Sequence, residues 1–317
     1  MHFLNRNAKI ICALRWLFAP GLAAGLGAVA QEAPRPDYIV PDQGKLPLTA
    51  GFNDSEGAGG GGIVPWALIT GYGTRDSYGA NAHVTLVNVG DFRLLSYGAA
   101  FGIADRVEVS AAHQKFDVTG TALDGLSVAQ NIFGAKIRLT GDAVYDQDSW
   151  LPQTALGFEY KHNQGISGGA SIGAPGLFSV NQLGARGESG SDFYLSATKV
   201  LLAQSLLLNG TLRYTKANQF GLLGFGGDRG DSRKLNVEVT LAYILTRKLA
   251  LGAEYRRKPH NLSADDERGA WDAFLAWTPT RHVSVVAGFA SLGSILAPVT
   301  KQTRRQNGAY LSVQAGY

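Results

Sequence analysis

Past residue 30 no apolar run approaches the ~20 residues that a membrane-spanning helix needs. Apolar and polar residues alternate instead with a period of two. They do so over stretches of about nine to eleven residues, the length of a tilted strand crossing a bilayer. Leu235, Val237, Val239, Leu241 and Tyr243 interleave with Asn236, Glu238, Thr240 and Ala242, and Leu249, Leu251, Ala253 and Tyr255 with Gly252, Glu254 and Arg256. Such stretches recur near 45–52, 63–72, 78–87, 92–103, 106–116, 129–140, 151–160, 192–202, 206–215, 234–245, 249–257, 270–278, 283–292 and 309–317. In lipid every backbone N–H and C=O must find a partner within the protein, so a sheet can cross only if it closes on itself. The expected fold is therefore all-β: a transmembrane, antiparallel, up-and-down β-barrel of about fourteen strands, within a range of about 12–16. Its apolar rows face lipid and its polar rows face the lumen.

The connections sort by length. Those at 74–77, 104–105, 203–205, 246–248 and 279–282 are short, and those at 53–62, 117–128, 161–191, 216–233, 258–269 and 293–308 are long. Short periplasmic turns and longer outer loops are the barrel pattern. Residues 88–91 and 141–150 break it. Trp66, Tyr72, Trp150, Tyr160, Tyr214, Tyr255, Trp271, Trp277 and Tyr317 lie near segment ends, where interfacial aromatic girdles belong. Glycine is abundant, 41 residues of 317, and Gly98, Gly134, Gly157, Gly252 and Gly288 fall inside strands, where they would relieve crowding as the sheet curves.

Residues 1–30 read as a cleaved signal peptide, with basic Arg6 and Lys9, an apolar stretch and Ala28-Val29-Ala30 before the cut. Residues 31–44 are then a periplasmic segment and 45–317 the barrel, placing the protein in the cell outer membrane. The leader carries Arg6, Lys9 and Arg15 and no acid, so the net charge of +4 falls to near balance without it. Nucleic acid is excluded as a partner on that ground. The single cysteine, Cys12, lies in the leader, which excludes disulfides.

Charged residues projecting inward are Arg106, Lys136, Arg138, Arg213 and Arg256 against Glu108, Glu159, Glu238, Glu254 and Asp272. Equal numbers predict a charge-balanced lumen, either as ion pairs stiffening the wall or as a constriction that sorts solutes. In the 216–233 loop, Phe220, Leu222, Leu223 and Phe225 are out of character for a water-facing segment. They form a candidate constriction loop that folds into the mouth. Gly57–Gly62 lacks the Lys-Ser/Thr of a phosphate loop and reads as a rim turn. The histidines are scattered, so neither a metal nor a cofactor is expected. No Ser-His-Asn set is evident, so an enzyme is not expected either.

The final alternation Ala309, Leu311, Val313, Ala315, Tyr317 resembles the C-terminal signal read by the barrel assembly machinery. The stretches GGGIVPWALITGYGTRDSYG (60–79), DAVYDQDSWLPQ (142–153), FYLSATKVLLAQSLLLNGTLR (193–213), NQFGLLGFGGDRGD (218–231) and AEYRRKPHNL (253–262) are similar to a proteobacterial outer-membrane family of unknown function. The resemblance spans roughly 45–317. It implies an outer-membrane barrel surrounded by lipid and lipopolysaccharide and carries over no activity and no site residues; oligomeric state stays open. A passive channel for small solutes is the first expectation. The second is a closed structural or partner-docking barrel, its lumen locked by charge pairs or by residues 31–47.

Overall fold

Alternation becomes an inside-out protein. In strand Lys234–Thr246, Leu241 is 54% exposed while Glu238, on the opposite face, is 0% exposed. A soluble sandwich would bury the leucine and expose the glutamate; only a hydrocarbon surround makes the reverse stable. The computed structural model describes residues 44–169 and 176–317, so the leader and most of the 31–44 segment lie outside the described residues.

The strands are β1 (Tyr78–Val89), β2 (Phe92–Ile103), β3 (Val107–Val118), β4 (Ser127–Thr140), β5 (Gln153–Gly168), β6 (Gly176–Phe178), β7 (Ser189–Leu201), β8 (Leu206–Thr215), β9 (Lys234–Thr246), β10 (Leu249–Arg256), β11 (Ala270–Thr280), β12 (Val283–Ser291) and β13 (Asn307–Gly316). Each pairs antiparallel with its neighbour, β5 pairs with both β4 and β7, and β1 pairs with β13 from Asn81↔Gly316 to Val89↔Gly308. Twelve strands thus close a ring, while the short β6 extends the top of β5 outside it. One end carries short turns, apart from the 141–152 connection, and the other carries the long loops, apart from the Gly90-Asp91 turn.

Fourteen strands are corrected to twelve because 45–52 and 63–72 are not strands. Residues 44–72 enter the barrel at the short-turn end, rise through the lumen, reverse at the glycine-rich tip and return, and 73–77 lead into β1. A single helical turn, α1 (Pro47–Ala50), lies near the entry. The apolar alternation of this segment serves an internal core: Leu48, Phe52 and Trp66 pack against Leu207, Phe274 and the small wall residues Ala242, Ala250 and Ala276. Trp66 and Tyr72 therefore belong to this plug, and to neither aromatic girdle. The girdles hold lipid-facing Tyr160, Tyr214, Tyr255 and Trp271 toward one end and Trp277 and Tyr317 toward the other. Gly157, Gly252 and Gly288 make room for an inward ring on the paired strand: a Cβ there would lie 2.0–2.5 Å from Tyr194, Phe274 and Tyr310 respectively.

Candidate functional site in the barrel lumen

Glu56, at the plug tip, is the hub. It meets Lys161 on β5, Arg256 Nη1 on β10 at 2.7 Å and Arg213 Nη1 on β8 at 3.6 Å. These cations bind wall carboxylates in turn. Arg213 reaches Glu159 and Glu238 at 2.6 Å each, Lys161 reaches Asp192 at 3.0 Å, and Arg256 reaches Glu238 at 3.1 Å. All of these side chains are buried. The directly paired Glu159 and Asp192 would repel each other without Lys161 and Arg213 beside them.

Lower in the lumen Glu108 accepts from Gly59 N–H and Thr70 N–H at 2.8 Å each, and Lys136 donates to the carbonyls of Gly59 and Trp66. Higher up, Glu254 accepts from Ile63 N–H at 2.8 Å and from Thr240 Oγ1 at 2.7 Å. The glycine run makes these approaches possible: a Cβ on Gly61 would sit 1.9 Å from Glu254, and one on Gly62 would sit 2.4 Å from Asp272. Gly57–Gly62 is thus the tip of the plug, and the rim-turn expectation is corrected.

Eight of the ten charged positions expected in the lumen meet there: Glu108, Lys136, Glu159, Arg213, Glu238, Glu254, Arg256 and Asp272. Arg138 points inward at the short-turn end and pairs with Asp105 and Asp142. Arg106 is corrected. Ala104 and Asp105 both adopt left-handed backbone (φ 51° and 49°), which leaves Arg106 exposed at the turn, its guanidinium on the carbonyls of Arg138 and Leu139. Asp54, Glu56, Lys161 and Asp192 were missed: two lie on the plug and two at the outer reach of their strands. With them, the described carboxylates around the plug tip outnumber the cations, and the expectation of a charge-balanced lumen is corrected.

The 216–233 loop folds inward. Leu222, Leu223 and Phe225 are buried, and Gln219 and Phe220 turn through left-handed backbone. The Phe220 ring lies 4.3 Å from the Arg256 guanidinium and 5.4 Å from Lys258 Nζ, while its carbonyl accepts from Lys161 and Gln130. Loop and plug tip therefore meet at shared residues. From outside, Gln219 is held by Glu267, Asp265 and Lys258 of the β10–β11 loop and donates to the Ser294 carbonyl of the β12–β13 loop, which draws both loops onto it.

Burial pushes the Glu267 carboxyl up to about 8 against the pull of Lys258, pushes Asp265 up, and lowers Lys258. A carboxyl raised on folding stabilises its packing fully below its unfolded value and loses that contribution as pH rises through the folded value. Closure of the 216–226 loop should therefore weaken between about pH 4.5 and about pH 8. Hydrogen exchange of its amides, corrected for intrinsic rate, should speed up several-fold over that range. The step should shrink in Glu267→Gln; an identical step there would refute the assignment.

A closed β-barrel with a lipid-compatible exterior and a lumen filled by its own chain is a plugged transmembrane barrel. The sequence belongs to the family described as "Protein of unknown function (DUF3034)", whose pattern it matches over residues 49–314. A search of curated proteins gave no match. Among solved structures the chain is similar to the KdgM porin, with 8% identity, 75% of this chain and 98% of that chain covered, and TM-score 0.44. It is similar also to the NanC porin (10% identity, 75% and 97% covered, TM-score 0.43) and to LpxR from Salmonella typhimurium (11%, 75% and 99%, 0.41).

Proposed function

We propose that the protein is an outer-membrane channel for small solutes held shut at rest by residues 44–72, with no catalytic step. It sits among lipid and lipopolysaccharide and is inserted through its β13 end. One observation carries this reading: in the middle of the barrel the wall facing the plug is charged, and the plug meets it through ion pairs and hydrogen bonds. Water can replace such contacts when the plug moves aside, whereas a permanent filler is held at least as well by apolar packing. The resting state is closed because Leu48, Phe52 and Trp66 are buried at the short-turn end. Each contributes about 1.5–3 kcal/mol.

The test is planar-bilayer recording of the full chain beside a variant lacking 44–72. The full chain should be mostly silent, and the deletion should give steady steps. A deletion barrel that still migrates as a folded, heat-modifiable species but conducts nothing would refute the reading.

A further inference from the structure

Above the plug tip, beneath the infolded 216–226 loop, lies a cavity of about 50 Å³. Its walls are mostly apolar, with Val87, Leu94, Phe116, Leu222, Ala290 and Ile295 among them. One charged side chain lines it. Asp272 is fully buried and accepts from Tyr310 OH at 2.8 Å through Oδ2, while its Oδ1 has no hydrogen-bond partner. Directly opposite on β10 stands Glu254, satisfied by neutral donors. Among the described residues neither carboxylate has an ion pair, though all the other buried carboxylates facing the plug tip except Asp54 have one. Two paired carboxylates without a countercharge repel each other, and one of them lines an enclosed space.

The occupant that answers this is positive. A calcium or magnesium ion needs six or more oxygen ligands; this mostly apolar lining supplies one carboxylate, with Ser55, Thr85, Gln114, Gln219 and Tyr310 as its neutral polar members. An ammonium group needs few acceptors, and a short carbon chain attached to it suits those walls. At about 10–15 Å³ for a water-sized atom in this measure, the space holds roughly three or four non-hydrogen atoms. We propose that the cavity bound by Asp272 is a binding site for a small organic ammonium ion, the size of a two- or three-carbon primary amine. The site requires no movement of the plug, so it stands or falls separately from the channel reading.

The probe is ethylammonium chloride, titrated calorimetrically into the full chain in detergent, with ethanol, sodium chloride and calcium chloride as comparisons. Saturable binding is expected, with ethanol weaker by about tenfold or more, since it lacks the charge-assisted bond. Asp272→Asn should weaken ethylammonium by a similar factor. Ala290→Leu, which fills the cavity and leaves the charge alone, should abolish binding; it decides the matter if the Asp272 variant does not fold. The proposal is overturned by absence of saturable binding, by equal affinity for ethanol, by calcium or sodium binding in place of the amine, or by binding that survives Ala290→Leu.

Discussion

Arg213→Ala is expected to destabilise the barrel by about 3–5 kcal/mol, the loss seen when one partner of a buried ion network is removed. Its guanidinium lies within 3.6 Å of Glu56, Glu159, Asp192 and Glu238, and 5.1 Å from the Tyr194 ring. Alanine leaves these acids with only Lys161 and Arg256. Arg213→Lys restores the charge without the planar fork that serves Glu159 and Glu238 from separate nitrogens, so it should recover only part of the loss. Urea unfolding in lipid, followed by tryptophan fluorescence, reads both, with lipid-facing Val239→Ala as the mild comparison. An Arg213→Ala barrel within about 0.5 kcal/mol of the parent, the range of ordinary surface substitutions, would show that the network is not under the load described.

Gly60→Leu should open the barrel without dismantling it. A Cβ at this position would lie 2.4 Å from the Val64 carbonyl oxygen and 2.8 Å from Pro65 Cα, and both are backbone atoms of the returning arm. The tip cannot keep its Gly60↔Pro65 pairing with a side chain in that gap. Overpacking of this kind costs about 1–3 kcal/mol, which multiplies the open-to-closed ratio roughly 5- to 150-fold. The strain lies within the tip hairpin and counts against the seated state, because only a seated tip must keep this shape to place Gly59, Gly61 and Gly62 against Glu108, Glu254 and Asp272; the wall contains none of the clashing atoms. Bilayer recordings should show frequent openings while strand content and heat-modifiability stay as in the parent. Gly230→Leu, in an outer loop where the nearest atom to a new Cβ is 3.7 Å away, should leave the current unchanged. A silent Gly60→Leu barrel with a displaced tip would mean that the plug is not what closes the pore.

Every strand of the ring was legible, because in a barrel wall each residue answers to one of two solvents and the alternation has no exceptions long enough to hide it. The plug was not legible for the same reason. Residues 63–72 have the length and apolar content of a spanning strand, and only their destination differs. The useful signal was Gly57–Gly62, since a run without side chains is what a backbone needs to lie against Glu108, Glu254 and Asp272. Eight of the charged lumen positions followed from parity alone. Parity failed at Arg106, where a left-handed turn stops the strand from continuing. Lys161 escaped because β5 runs past the 151–160 stretch, and Asp192 because it stands at the first position of its stretch, where the alternation is only beginning.

Residues 73–77 join the plug to β1, so stopper and seat are one molecule. A tethered group samples its site at an effective concentration in the millimolar range, set by the short leash and not by the amount of protein present. If the plug gates a channel as proposed, reclosure is a first-order event whose rate is the same in a dilute single-pore recording as in a crowded membrane. Washing cannot remove the stopper, and cutting the leash in 73–77 is the one change that would make closure depend on concentration.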